Sequence, residues 1–174
     1  AENVKAGSYG VARPFIVAYK DGMLSDLAKD YLGFIMSADG QKIIEDEGYI
    51  SVGEGESYTP SGLSGKLVLA GSTSVSPVME VLADAYKALN PNVTVEIQQT
   101  GSGAGITSAI EGVCDFGMSS RELKDSEKAE LAGVQIAMDG IAVVVNNENP
   151  IDDISSETIK SIYLGETTDW SEVK

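Results

Sequence analysis

The length, composition and charge of the chain disfavour several classes of protein. Its 174 residues include 27 acidic and 12 basic side chains and no histidine, so the net charge is −15. No cluster of Lys and Arg is present, and we therefore expect no nucleic-acid partner. Without histidine the chain lacks the commonest general base and metal ligand, so we expect no metal, no cofactor and no catalytic residue.

The single cysteine, Cys114, cannot form an internal disulfide. It lies in an apolar stretch and is interpreted as a small core residue. A catalytic thiol usually needs a histidine partner, which this chain does not have. An enzyme that uses carboxylates stays open as a remote alternative.

Apolar spacing in the first 53 residues predicts one strand and two helices. Ser25 is placed to cap the start of the first helix, and Gly48 suits the residue after the end of the second. Residues 54–65 are rich in Gly, Ser and Pro and are interpreted as a linker. The predicted elements are a strand at 14–19 and helices at about 24–37 and 40–47.

Strands and helices alternate after the linker, which predicts an α/β fold with a mostly parallel sheet flanked by helices. Ser76 is expected at the N-cap of the first of these helices and Pro77 at its first position. The predicted strands lie at 66–70, 93–98, just before Ser119, 134–137 and 141–146. The predicted helices start at Ser76 and near 105, cover about 125–132, and run from about 156 to 164 before Gly165.

Three strand-to-helix loops of this second section share one chemistry. They are residues 71–74, 100–105 and 118–121, and each offers hydroxyl groups. The N-terminus of a helix carries unpaired N–H donors and a partial positive charge, and glycine lets the backbone approach a ligand. Each loop alone is equally typical of a helix cap. Because all three belong at one edge of the sheet, together they predict a site for a small anion.

Beyond these patterns, the sequence resembles the phosphate-binding protein of bacterial phosphate ABC transporters, and the Gram-positive branch most. The resemblance is carried by GSTSVSP at 71–77, GSGAG at 101–105, DFGMSSREL at 115–123, IYLG at 162–165 with DW at 169–170, and SADGQK at 37–42 with EGY at 47–49.

The order of the segments departs from that family. Residues 1–53 resemble the end of a family member, residues 66–174 resemble its mature beginning, and most of the second lobe is absent. We therefore predict one circularly permuted lobe, in which 14–19 joins the sheet of 66–70 and 93–98. Residues 141–174 are expected to lead toward the missing lobe. A slice across tandem receptors and an engineered fusion both stay open as origins of this order.

The resemblance implies a type II periplasmic-binding fold that holds inorganic phosphate between two closing lobes and has no enzymatic role. It implies uptake through an ABC transporter permease, with the missing second lobe as a further partner. It places the full-length receptor at the extracellular face of the membrane, anchored as a lipoprotein, or in the periplasm. Self-association is a further expectation, because the exposed half-site offers a surface to a second copy.

The phosphate-binding residues that the resemblance implies are Thr73, Ser74, Ser102, Gly103, Ser120 and Arg121. Arg121 has a second interpretation as an ordinary surface cation. Ser120 matches a position where several family members carry an aspartate that accepts a proton from phosphate and helps to reject sulfate. Serine carries no charge there, so a receptor for another oxyanion, such as sulfate or molybdate, stays open as the alternative.

Overall fold

The computed structural model describes residues 2–53 and 55–173. Its helices are α1 (Glu2–Lys5), α2 (Asp26–Met36), α3 (Ala38–Asp46), α4 (Ser76–Leu89), α5 (Ser102–Glu111), α6 (Asp125–Lys128) and α7 (Ser156–Leu164). Its strands are β1 (Ala12–Tyr19), β2 (Ile50–Ser51), β3 (Gly65–Gly71), β4 (Val93–Gln99), β5 (Phe116–Ser119) and β6 (Ala132–Gly140).

The strands form one open sheet in the order β2-β6-β1-β5-β3-β4. The prediction that 14–19 shares a sheet with 66–70 and 93–98 is confirmed, because β1, β3 and β4 all belong to it. β1 lies between β5 and β6, so a strand from before the linker is inserted among strands that follow it.

The expectation of a mostly parallel sheet is wrong. β3 pairs in parallel with β4 and β5, whereas β1 runs antiparallel to β5 and β6, and β2 runs antiparallel to β6. Strand and helix alternate from β3 to α7, but only α4 and α5 connect strands that run in the same direction. No crossover helix links β1 to its neighbours, so the rule that produces parallel pairs does not apply to it.

Strand β1 is buried on both faces of the sheet and so connects two parts of the core. Phe15 and Val17 face the larger cluster, which includes residues of α2, α3 and α4. Ile16 and Ala18 point to the opposite face, where Ile106 and other residues form a second cluster. Burial of one such large apolar side chain stabilises a fold by about 1.5–3 kcal/mol. The first 53 residues therefore contribute to both layers that flank the sheet.

Residues 55–64 of the predicted linker cross the surface without regular structure, and Gly65 already begins β3. This connector is fastened to two helices. The Tyr58 hydroxyl donates to Asp30 Oδ2 of α2 at 2.6 Å, and Ser61 Oγ donates to the same oxygen at 2.9 Å. Tyr86 of α4 also donates to it at 2.6 Å. Asp30 thus joins α2, α4 and the connector, which explains how a Gly- and Ser-rich segment follows a defined path.

Several helix ends agree with the sequence-based predictions and one does not. Ser25 accepts from the Ala28 N–H at 3.1 Å, and Gly48 adopts a φ of +85° after α3. Ser76, by contrast, is the first residue of α4 and not its N-cap, which is Val75. The Ser76 hydroxyl instead donates back to the Ser72 carbonyl at 3.0 Å, so it closes the turn that precedes the helix.

The segment after β6 differs most from expectation. One strand, β6, replaces the two that were predicted at 134–137 and 141–146, and residues 141–146 have no regular structure. Their apolar side chains stay accessible, and Val144 is 86% exposed. A strand needs a neighbour for its hydrogen bonds. Beyond the Ala12–Gly140 pair the ladder continues by one bond, from the Ile141 N–H to the Val11 carbonyl at 2.9 Å, and no described strand pairs with residues 142–146. In residues 2–53 and 55–173 no helix has the length and apolar character required to cross a membrane.

Candidate functional site

The loops predicted to bind an anion meet where three strands end side by side. Gly71 of β3 pairs with Gln99 of β4 on one side and with Met118 of β5 on the other. Backbone hydrogen bonds then join the loops, because the N–H groups of Thr100 and Gly101 donate to the Gly71 carbonyl at 2.9 and 2.8 Å. The structure therefore brings together the three segments that were singled out by their similar composition.

Glycines allow α5 to lie directly on the sheet. A Cβ on Gly105 would overlap the backbone of Ala70 and Gly71, and one on Gly117 would come within 2.7 Å of the Gly105 carbonyl oxygen. Gly71 itself has a φ of +145°, and a Cβ there would meet the backbone of Met118. This close packing fixes the N-terminus of α5 at the ends of β3 and β5.

The N-terminus of α5 is open to an acceptor from outside the helix. Gly101 is its N-cap, with a φ of +86°, and it has no side chain to cap the first turn. The first N–H groups of a helix lack partners within the helix and carry partial positive charge. Gly103 lies in this turn with its backbone exposed. These donors face the place where the loops converge, which suits a small anion.

Ser102 and Ser120 come into contact across the sheet edge. Ser102 Oγ accepts from the Ser120 N–H at 3.2 Å and lies 3.4 Å from Ser120 Oγ. Both residues are partly buried. Two hydroxyl groups from different loops thus lie together beside one helix N-terminus.

Thr73 and Ser74 occupy the turn before α4. Thr73 is exposed, and the Ser74 N–H donates to Ser72 Oγ at 3.2 Å. Within the part of the chain that the structure describes, the hydroxyls of Thr73 and Ser74 make no hydrogen bond. Ser72, by comparison, is 3% exposed and has a structural role in the turn. Thr73 and Ser74 thus have hydroxyl donors to offer a ligand.

Arg121 is engaged with a residue that the sequence analysis did not single out. Its Nη1 and Nη2 atoms donate to Glu127 Oε2 and Oε1, each at 2.8 Å, in a forked ion pair. Hydrogen bonding from Arg121 is the main cause that lowers the pKa of Glu127 to about 2. Glu127 also accepts from the Lys124 N–H at 2.8 Å, as the glutamate of a capping box does. Because Lys124 is not a typical N-cap residue, the sequence carried no capping signal that would have drawn attention to Glu127.

The other titratable groups near these loops serve the fold. The Asp115 carboxylate accepts from the Val68 N–H of β3 at 2.8 Å, so it joins the start of β5 to a neighbouring strand. Cys114 is half-buried, and burial is the largest factor that raises its pKa to about 11, so it is a poor nucleophile at neutral pH. Among the described residues no three His, Cys, Asp or Glu side chains gather as a metal site would require.

A cavity of about 640 Å³ lies away from the strand ends, between α2 and the connector. It is open to solvent, and Asp30, which lines it, already accepts from Tyr58, Ser61 and Tyr86. The hydrogen bonds of Asp30 in this cavity therefore serve to hold the connector against α2 and α4. We place the candidate site at the ends of β3, β4 and β5.

Comparison with known proteins shows which family the chain resembles. Residues 56–174 match the model of the PBP superfamily domain. The chain is 46% identical over 173 residues to phosphate-binding protein PstS 2 of Streptococcus agalactiae, which covers 99% of this chain and 59% of that protein. The chain therefore spans about three fifths of the length of this curated relative.

Two solved structures are also similar to this chain. A phosphate-binding protein of a phosphate ABC transporter from Streptococcus pneumoniae has a TM-score of 0.95 and 44% identity, over 99% of this chain and 67% of that one. A putative phosphate ABC transporter substrate-binding protein from Clostridium perfringens, solved with bound phosphate, has a TM-score of 0.55 and 49% identity, over 62% of this chain and 45% of that one.

The coverage of these matches bears on the order of the segments. An alignment of 173 residues leaves out almost none of this chain, so the S. agalactiae protein carries the early segment, the connector and the later segment in the same order. The order therefore occurs within natural relatives and does not require an engineered fusion. Since the family model covers more than half of its residues, the chain belongs to the PBP superfamily.

Proposed function

We propose that this chain is the ligand-binding lobe of a receptor that captures inorganic phosphate for uptake by an ABC transporter. The observation that carries the proposal is the meeting of Ser102 and Ser120 at the uncapped N-terminus of α5. The names of the similar streptococcal and clostridial proteins support phosphate as the ligand. Thr73, Ser74 and the backbone of Gly103 complete the proposed donors, and Arg121 borders them.

Neutral donors suit this ligand. Phosphate presents four oxygen atoms that accept hydrogen bonds in different directions, and the three loops approach the site from three strands. Helix N-termini stabilise an anion without bringing a counter-charge that would also attract other solutes. The net charge of −15 offers no long-range attraction, and its repulsion is screened beyond about 8 Å at physiological salt.

The proposal assigns this chain half of the site. Residues 1–53 and 66–174 form one lobe, 54–65 connect its two segments, and 141–174 lead toward the second lobe. The other wall of the site, and the contact with a permease, belong to the remainder of the receptor. We place the receptor outside the cell membrane, held there as a lipoprotein, or in the periplasm, and we assign no enzymatic step to it.

A receptor for sulfate or molybdate is the second candidate. It is favoured by one observation, which is that the groups converging here are hydroxyls and N–H donors. A carboxylate that accepts a proton from phosphate is the usual means of rejecting a fully ionised oxyanion. Ser120 has a neutral hydroxyl in place of that carboxylate, so it cannot repel sulfate or molybdate by charge. Titration with phosphate, sulfate and molybdate in parallel separates the two candidates.

The direct test is Ser102→Ala, with Ser108→Ala in the same helix as the matched control. We expect phosphate to shift the amide NMR signals of Ser74, Gly103 and Ser120 in the unsubstituted chain. A lone lobe lacks several bonds to the anion, each worth about 1.5–3 kcal/mol. The dissociation constant of the chain alone should therefore be on the order of millimolar, not micromolar.

Loss of the Ser102 hydroxyl should weaken phosphate binding about tenfold, because it removes one hydrogen bond to a charged ligand. Ser108→Ala should leave the affinity unchanged. Equal affinities for the two variants would remove Ser102 from the site. A micromolar constant for a monomer would show that the second lobe is dispensable, and the same constant for a dimer would show that a second copy supplies the missing wall.

A further inference from the structure

The guanidinium group of Arg121 is directed into its own lobe. Nη1 donates to Glu127 Oε2 and to the Glu122 carbonyl, and Nη2 donates to Glu127 Oε1, all at 2.8 Å. Glu127 is the more buried partner, with 13% of its side chain exposed against 35% for Arg121. A forked pair of this kind fixes both side chains in direction as well as in distance.

Further contacts of the Arg121 backbone and of Glu127 hold the chain on both sides of Ser120. Before it, Ser119 Oγ accepts from the Arg121 N–H at 3.2 Å and donates to the Arg121 carbonyl at 2.8 Å. After it, Glu127 Oε2 accepts from the Lys124 N–H at 2.8 Å. The only large apolar anchor of this stretch is Leu123, which is buried against the second core cluster.

Helix α6 cannot hold this loop by packing alone. It has four residues, Asp125–Lys128, and none of them is buried. An isolated turn of helix is unstable in water, so tertiary contacts must keep Glu127 in place. Among the described residues, the contacts of the Glu127 side chain are the forked pair with Arg121 and the bond from the Lys124 N–H.

We infer that Arg121 and Glu127 form a positioning clamp, which holds Ser120 against Ser102, and that Arg121 is not itself a ligand of the anion. This inference rests on the proposed function, because Ser120 is taken to be a donor in the phosphate site. Glu127 then becomes a determinant of binding although it touches no ligand. The charge of Arg121 is balanced within the lobe, and the site keeps its neutral character.

The two roles of Arg121 predict opposite effects of Glu127→Gln. If Arg121 bound phosphate, removal of Glu127 would free its guanidinium and tighten binding. If the pair is a clamp, the same change loosens the loop and weakens binding. Glu130→Gln is the matched control, because Glu130 is exposed and its loss changes the charge of the region by the same amount. Lys128→Gln is the matched control for Arg121→Gln, because Lys128 is exposed and its loss removes one positive charge from the same region.

The experiment combines two measurements on the 174-residue chain. Titration with inorganic phosphate, followed by amide NMR shifts, gives the affinity. Hydrogen exchange of the Ser120 amide reports on the clamp directly, because this N–H donates to Ser102 Oγ. The variants are Arg121→Gln, Glu127→Gln and the double variant, so that a double-mutant cycle can be closed.

We expect each single variant to speed exchange at Ser120 and to weaken phosphate binding by roughly tenfold, with the double variant no worse than either one. Arg121→Lys should behave like Arg121→Gln, since Lys keeps the charge but cannot form the fork. Tighter binding of phosphate by Glu127→Gln than by Glu130→Gln would overturn the inference. So would full affinity in Arg121→Lys combined with loss in Arg121→Gln.

The outcomes also separate this inference from the proposed function. If phosphate shifts no amide in the unsubstituted chain, the proposed function fails, and exchange at Ser120 still decides whether the clamp exists. If phosphate binds but no variant alters exchange at Ser120, the clamp fails and the function stands. Dispersed spectra of each variant confirm that the fold survives.

Discussion

Gly105→Ala tests whether close packing of α5 on the sheet is what places the anion site. Gly105 lies in the first half of α5 and is buried against the end of β3. A Cβ at this position would come within 2.8 Å of the Ala70 carbonyl carbon and closer still to its oxygen. The neighbours are backbone atoms of a central strand, so they cannot move aside as a flexible side chain would.

The expected magnitude follows from the displacement that the new atom demands. Real Cβ atoms are rarely found closer than 3.4 Å, so moving out from 2.8 Å requires a shift of at least 0.6 Å by the helix. A gap of 0.5–1 Å forfeits a quarter to a half of the dispersion attraction between the separated surfaces. Overpacking of this kind costs about 1–3 kcal/mol, and the loosened contacts of Ile106 and Ala109, both buried, add about 1 kcal/mol.

Against this cost, alanine is favoured over glycine in a helix by about 1 kcal/mol. The net destabilisation is then about 2 kcal/mol, which lowers the melting temperature of a domain of this size by roughly 4–8 °C. The shift also moves the N-terminus of α5 away from Ser120, so phosphate binding should weaken with the loss of stability.

Gly33→Ala is the matched control, measured in the same thermal unfolding series by circular dichroism. Gly33 lies in the interior of α2, is exposed, and has nothing within 4 Å of where its Cβ would be. Here only the helix propensity changes, so the melting temperature should rise by roughly 2–4 °C. If Gly105→Ala proves as stable as the unsubstituted chain, or rises together with Gly33→Ala, the packing argument is refuted.

Two further predictions concern the contacts that hold the lobe together. Asp30→Ala removes the oxygen that Tyr58, Ser61 and Tyr86 share, and because the Tyr86 hydroxyl is partly buried we expect a loss of about 2–3 kcal/mol in urea unfolding; a loss below about 1 kcal/mol would contradict this. The pKa of Glu127 is lowered from 4.5 to about 2, so its stabilising contribution is complete above about pH 4.5 and is lost as the pH falls toward 2. Unfolding curves from pH 6 to pH 2 should therefore show a steeper loss of stability in the unsubstituted chain than in Glu127→Gln, and parallel curves would show that the pair contributes nothing.

Sequence patterns predicted the helix ends and turns that depend only on neighbouring residues. The helix that begins after Ser25 and the turn at Gly48 follow from capping and from the freedom of glycine, which act within a few residues. The three loops were found because each has the composition of a strand-to-helix connection at the edge of a sheet. Their contact through Ser102 and Ser120 then follows from the parallel arrangement of β3, β4 and β5.

Features that depend on distant partners were missed. β1 runs antiparallel to β5 and β6, and the sequence of residues 12–19 alone does not predict this direction. A strand was also predicted at 141–146, but among the described residues no strand pairs with this segment. The role of Arg121 depends on Glu127, which lies six residues away on a helix too short for its pattern to stand out.

Residues before the connector include none of the proposed phosphate donors, yet they help to position one donor, Ser120. The proposed donors fall between residues 73 and 120, yet β1, from the first segment, pairs with β5 up to Ser119, next to Ser120. The third loop is thus positioned by a strand that precedes the connector in the chain. The position of this loop therefore depends on which strand lies beside β5, and not on where that strand stands in the chain.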